Sequence, residues 1–246
     1  MGPIFIVARK DVGEALLSKT TYFYMAFLFF IILPYFDGFR NVLGGLVKQG
    51  LGAAELQLAL QPFLNNLIHT LPLVLVMLFC SFLAAYAIIM DKAKRTLESL
   101  LATPLSLKQI WLGKSLAVAL PGIAIMLIIL TVIVVALNFA FIVPLVGYFI
   151  MPDPLSIVTT VIIIPVMVFF VVLMVSLFQL TMANPRIANF AYIALFLGIY
   201  FATVTGLTAT WDLSVIYLVL TVVLAAATFV LSRFLTKEKI VLSSKG

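Results

Sequence analysis

Charge is scarce in this chain: 10% of its 246 residues are Asp, Glu, Lys or Arg, against 65% hydrophobic. A water-soluble domain carries roughly 25% charged residues, so the shortage excludes an ordinary soluble fold. Cys80 is the single cysteine and His69 the single histidine. That excludes an intrachain disulfide, a thiolate metal cluster and a His-x-x-x-His site, so no metal site is expected. No segment gathers Lys and Arg on one folded face, which leaves no nucleic-acid partner. Clustered His, Cys or acidic residues of a catalytic kind are missing, as are internal repeats and low-complexity tracts. No small-residue cleavage site follows the first apolar run, so the amino terminus does not read as a cleavable signal.

What fills the chain is long apolar runs. A bilayer core takes about 20 apolar residues per helix. Six such runs are expected, near residues 20–38, 64–90, 115–138, 156–181, 186–207 and 213–234. The expected fold class is an all-α integral membrane protein forming a single transmembrane domain over 1–246. It comprises an interfacial elbow helix (1–19), spans 1–2 (20–90), a cytoplasmic coupling segment (91–114), spans 3–6 (115–234) and a cytoplasmic tail (235–246). With both termini in the cytoplasm, 13 of the 15 Lys and Arg fall inside and only Arg40 and Lys48 outside, the asymmetry of a multi-pass cell-membrane protein. The net charge of +6 then faces anionic lipid.

In the first segment Ile4, Phe5, Ala8, Val12, Ala15 and Leu16 share one helical face, and Lys10, Asp11, Glu14 and Ser18 the other. This is the pattern of a helix lying in the membrane interface. Residues 38–62 read as the longest outside segment, made flexible by Gly38, Gly44, Gly45, Gly50 and Gly52. A short surface helix is expected over 53–61, with Pro62 starting the return. Segment 139–155 reads as an outside loop or a shallow re-entrant piece. Asn184-Pro185 and Asp153-Pro154 suit a cap followed by proline, and Asp212 suits the cap of the last span.

One charged island breaks the apolar pattern, Asp91-Lys-Ala-Lys-Arg-Thr-Leu-Glu-Ser-Leu-Leu-Ala-Thr-Pro-Leu-Ser106. On a wheel Ala93, Leu97, Leu100 and Leu101 share a face opposite Lys92, Arg95, Thr96, Ser99 and Thr103. Asp91 suits the cap, and Pro104 stops the helix. Ser106 with Gln109 makes a capping box for a second helix. A short rigid helix between two spans moves with them and is a handle for rigid-body motion. The bland alternative is an interfacial loop with leucines on lipid and charges in water.

These residues, with Ile110-Trp-Leu-Gly-Lys114 after them, resemble the first cytoplasmic segment of permeases of the ABC type-2 exporter family. Thr96, Leu97, Glu98, Leu100, Leu101, Thr103, Pro104, Leu105, Ser106, Gly113 and Lys114 match its pattern. Arg95 stands where the family usually has glycine. The resemblance implies a permease subunit that dimerises with itself or a relative and binds two copies of a cytoplasmic ATPase subunit. It implies that Arg95, Thr96, Leu97, Glu98, Leu101 and Pro104 contact that subunit, with Arg9, Lys10 and Glu14 of the elbow nearby. ATP and Mg belong to the partner, and no cofactor is expected on this chain. The short Gly206–Asp212 connection departs from the longer Pro-rich segment common in the family, which weakens any transfer of substrate.

Gly113-Lys114-Ser115 looks like the end of a phosphate-binding loop, but Lys108 stands where its first glycine is needed and no strand precedes it. The chain is therefore not expected to be an enzyme itself. The spans show no certain buried Asp, Glu, Lys or Arg, which argues against a proton-driven carrier. His69 reads as a solvated or hydrogen-bonded boundary histidine. Asn65, Asn66, Asn138 and Gln179 are candidates to line a pathway or to bond between helices. Uncharged spans suit an amphipathic or hydrophobic cargo. The alternative to an exporter subunit is an ATP-independent channel or carrier.

Overall fold

A computed structural model describes residues 3–84, 91, 99–100, 102–182, 184–208, 212–236 and 240. Among them the secondary structure is helical throughout. In chain order the helices are α1 (Pro3–Leu16), α2 (Lys19–Lys48), α3 (Ala53–Ala84), α4 (Leu107–Leu137), α5 (Val143–Val146), α6 (Pro154–Val158), α7 (Ile164–Thr181), α8 (Pro185–Thr208) and α9 (Leu213–Ser232). Two π-helical turns, Asn138–Ile142 and Thr159–Ile163, join α4 to α5 and α6 to α7.

Five of the resulting rods are long and apolar enough to cross a bilayer: Thr21–Lys48, Ala54–Ala84, Leu107–Val146, Pro154–Thr181 and Leu213–Ser232. The expected sixth span falls on α8, whose qualifying apolar stretch is the shorter Phe190–Phe201. The protein is thus an α-helical, multi-pass membrane protein. The centre is α3, packed against α4, α2, α7 and α8, with α4 and α9 also on α7. In its most apolar window α3 is 83% buried and α2 only 18%, which puts α2 at the periphery.

The expected flexible segment over 38–62 is corrected. Helix α2 runs through Pro34, Gly38, Gly44 and Gly45 to Lys48, and α3 starts at Ala53 and runs through Pro62 and Pro72. Leu28, Ile32, Phe39 and Leu43 are buried on one face of α2, and Leu56, Leu60, Leu64, Leu67 and Leu71 on one face of α3. Burial of these paired stripes outweighs the helix-breaking tendency of glycine and proline. Only residues 49–52 turn the chain. Gly50 adopts φ +70° there, where a side chain would strain the backbone. Each helix is about 45 Å long at 1.5 Å per residue, against roughly 30 Å of hydrocarbon. The hairpin tip therefore stands beyond the apolar layer, and this end of the bundle is called distal. Phe39 meets Phe63 at 5.4 Å and Phe141 at 5.8 Å between ring centroids, joining α2, α3 and the first π turn there.

Segment 139–155 is partly helix, to Val146, and then an extended run pinned along α3. Gly147 ends α5 at φ +86°. Asn138 Oδ1 accepts from the Ile150 amide at 2.8 Å, and Asn65 Oδ1 from the Asp153 amide at 2.9 Å. Gln61 Nε2 donates to the Met151 carbonyl at 2.8 Å. Side chains thus take up backbone groups that no ladder would satisfy.

Candidate functional site

At the opposite, basal end, α4 begins where the charged island ends. Ser106 caps it as expected: its hydroxyl accepts from Gln109 N, and Gln109 Oε1 accepts from Ser106 N at 2.9 Å. Thr103 Oγ1 donates to the Leu100 carbonyl at 2.6 Å, and Pro104 is exposed at the turn. The hard stop and restart around Pro104 thus have a local hydrogen-bonded basis.

Seven residues into α4 stands Gly113. A Cβ built there would lie 2.9 Å from Val7 Cβ and 3.1 Å from the Ile4 carbonyl oxygen. Helix α1 crosses α4 at this point, and only a missing side chain allows the approach. The next residue, Lys114, is fully buried. Its Nζ donates to Asp11 Oδ2 of α1 at 2.9 Å and to Asp91 Oδ2. A buried ammonium is tolerated only where carboxylates replace its water. One lysine therefore ties the amino-terminal helix, the start of the island and α4 together. Burial raises the Asp11 carboxyl above its ordinary value, against the lowering effect of Lys114.

Behind this junction a buried polar chain joins α4 to α7. Trp111 Nε1 donates to the Leu173 carbonyl at 2.9 Å and lies 3.1 Å from Ser176 Oγ. Ser115 and Ser176 hydroxyls meet at 2.5 Å. Trp111, Leu173, Leu177, Leu180 and Ile240 form one apolar cluster around it. The basal ends of α4 and α7 are thereby held as one unit with Ile240, which follows α9.

The expected site residues divide into groups. Arg95, Thr96, Leu97, Glu98 and Leu101 lie outside the described residues. Arg9, Lys10 and Glu14 stand on the exposed side of α1. With Ile6, Gly13 and Leu17 they line a shallow groove of about 470 Å³. Lys10 and Glu14 are 3.9 Å apart and more than half exposed, a pair that contributes little stability. Asn138 and Gln179 are both fully buried. Asn138 is committed to backbone, donating to Val134 O at 2.9 Å while accepting from Ile150.

Three expectations are corrected. Asp11 does not face water. The less exposed stripe of α1 runs through Ile4, Val7, Ala8, Asp11 and Val12 and meets α4 at Ile4, Val7 and Asp11, and Phe5, placed on the apolar face by the wheel, is exposed. Asp153 stands at the N-cap position with Pro154 next, as expected, but its side chain makes no capping hydrogen bond. Its carboxylate accepts from Gln61 at 3.0 Å and from Asn65. Asp212 does cap, accepting from Ser214 N at 2.9 Å. His69 is neither solvated nor hydrogen-bonded: it is 3% exposed, and neither ring nitrogen has a partner among the described residues.

The buried Lys114 was missed because its position at the edge of a span reads equally as an interfacial charge. Its signal was the acid at position 11 on an otherwise apolar helix stripe. Among the described residues no group of three or more His, Cys, Asp or Glu is placed to hold a metal ion. Comparison with protein-family models, with curated proteins and with solved structures returns no match.

Proposed function

We propose that this chain is the membrane-spanning subunit of an ATP-driven exporter of the ABC type-2 kind. In this reading it has six spans and cytoplasmic termini. It pairs with a second permease half and binds two ATPase subunits that supply the ATP chemistry. Residues 91–106 carry the reading, a charged island whose residue order resembles that family's docking segment. The basal junction supports it mechanically. Asp91 at the island's start and Asp11 of α1 share Lys114 of α4, so a displacement of the island is passed to both helices as a unit. The exposed Arg9, Lys10 and Glu14 lie on the helix so tied and would sit beside the same partner. The cargo is an amphipathic or hydrophobic molecule, in keeping with the strongly apolar spans.

Co-purification of the chain with a candidate ATPase, using Glu98→Ala and Leu101→Lys, tests this. The expected result is lost assembly and ATP hydrolysis that no longer responds to the membrane subunit. Unchanged assembly and unchanged coupling would overturn the proposal.

A second reading, an ATP-independent carrier, gains from one observation. The buried Lys114 and His69 are ionisable groups of the sort that proton-coupled carriers keep inside the bundle. Gradient-driven transport by this chain alone in liposomes is its test.

A further inference from the structure

At the distal end, α3, the start of α6 and the start of α9 line an open cavity of about 200 Å³, with Asn65, Asn66, His69, Asp153, Ser156 and Asp212 among its residues. We infer that it is a binding site for a primary ammonium group. The inference is independent of the proposed function and holds whether or not an ATPase drives the chain.

Sign of charge comes first. Two carboxylates line the cavity and no Lys or Arg does. The helix starts at Pro154 and Leu213 each bring about half a positive charge, which leaves the lining net negative. The occupant is therefore cationic.

Unused hydrogen-bonding capacity comes second. His69 is buried, lines the cavity, and has no partner at Nδ1 or Nε2 among the described residues. A neutral imidazole always keeps one acceptor nitrogen. Asp212 uses Oδ1 to cap α9, which leaves its second oxygen as an acceptor. Asp153 receives two side-chain amide donors, from Gln61 and Asn65, and a carboxylate has about four acceptor sites. The lining thus brings acceptor-bearing side chains from three elements, α3, the start of α6 and the start of α9, to one cavity.

Spacing and size then choose the kind of cation. A bare metal ion needs its ligands at roughly 2.0–2.6 Å, and these groups are not gathered closely enough to hold one. A primary ammonium reaches outward with three N–H donors and can bridge acceptors set apart. The volume lies below the roughly 300 Å³ at which drug-sized pockets begin, so it suits an ammonium on a short chain. Such a group could come from a lipid headgroup or from a soluble amine.

Because His69 is the only histidine, histidine-selective ¹⁵N labelling of the full chain gives a single reporter. Labelled protein in phosphatidylcholine nanodiscs is titrated with ethanolamine, and a second sample is prepared in nanodiscs containing phosphatidylethanolamine. The expected result is a saturable shift of the His69 signal in at least one arm. A shift with the lipid and none with ethanolamine assigns the headgroup as source, and the reverse assigns a soluble amine. Asp212→Asn keeps a capping oxygen and is expected to weaken binding about tenfold through loss of one charge-assisted bond. Should that variant fail to fold, tetramethylammonium on the unaltered protein decides, since it has no N–H donor and is expected to give no shift. No response in either arm, as for a cavity that holds only water, would overturn the inference. So would an unchanged affinity in a folded Asp212→Asn, or an equal response to tetramethylammonium.

Discussion

Lys114 of α4 and Asp11 of α1 meet at 2.9 Å, 103 residues apart in sequence. Gly113, one residue before the lysine, is what lets their helices come close enough to do so. This pairing and the bond from Lys114 to Asp91 define the basal junction, and most of the predictions below concern it.

A methyl group at Gly113 would have to displace α1, because Val7 Cβ lies 2.9 Å from where it would stand. Gly113→Ala is expected to cost about 1–3 kcal/mol through overpacking and to speed proteolysis within α1. Gly44→Ala, in α2 with nothing within 4 Å, is expected to stabilise by about 0.5–1 kcal/mol. Thermal unfolding of both variants in detergent checks the pair.

Lys114→Met leaves Asp11 and Asp91 facing each other without their cation. Breaking such a buried pair costs about 3–5 kcal/mol. Lys114→Met with Asp11→Asn and Asp91→Asn removes the stranded charges as well, and is expected to recover much of the loss. Non-additivity of this kind, read from unfolding midpoints, marks a shared network. Additive losses would mean the three groups act separately.

Burial raises the Asp11 carboxyl above its ordinary 3.8. The folded protein therefore holds this proton more tightly than the unfolded chain does. The contribution of Asp11 to stability is full below 3.8 and declines as pH rises through the raised value. Asp11→Asn lacks the proton and the decline. The unfolding midpoint of the variant, relative to the parent, is expected to rise with pH across that window and then level off.

Asn138 satisfies the buried Ile150 amide at 2.8 Å. Asn138→Ala strands that donor and is expected to cost about 1–3 kcal/mol. A residue that served only to line a pathway would change transport and leave the unfolding midpoint where it was.

Cys80 is buried, so the native chain should resist maleimide. Gln49→Cys at the distal turn and Leu17→Cys after α1 both offer exposed positions. Membrane-impermeant maleimide is expected to label them from opposite sides of sealed vesicles, because one long helix, α2, separates them. Labelling from the same side would overturn α2 as a span.

Much of the helical layout was legible because hydropathy acts locally. The runs near 64–90, 156–181 and 213–234 each contain the core of an observed rod, and the Ser106 capping box and the Asp212 cap follow from neighbours a few residues away. The long helices through Pro34, Pro62 and Gly44 were not legible. Local propensity counts against them, and the apolar stripes of α2 and α3 outweigh it only once the two helices lie together. The site was less legible than the fold. The Asp11 carboxylate, the Asp153 carboxylate and the His69 ring each read as ordinary surface or cap groups until a distant element was set against them.

Composition and the order of apolar runs are enough to establish a helical, multi-pass membrane protein, since a bilayer selects segments by length and hydropathy alone. They also locate the island and its helix stop, because proline and a capping box act within a few bonds. Where charge ends up is settled by packing between elements remote in sequence. Lys114 is buried only because Asp11 and Asp91 arrive beside it, and His69 lines a cavity only because the starts of α6 and α9 close around α3. An ionisable group's burial depends on which opposite charges and acceptors reach it, and no local pattern in the chain encodes that.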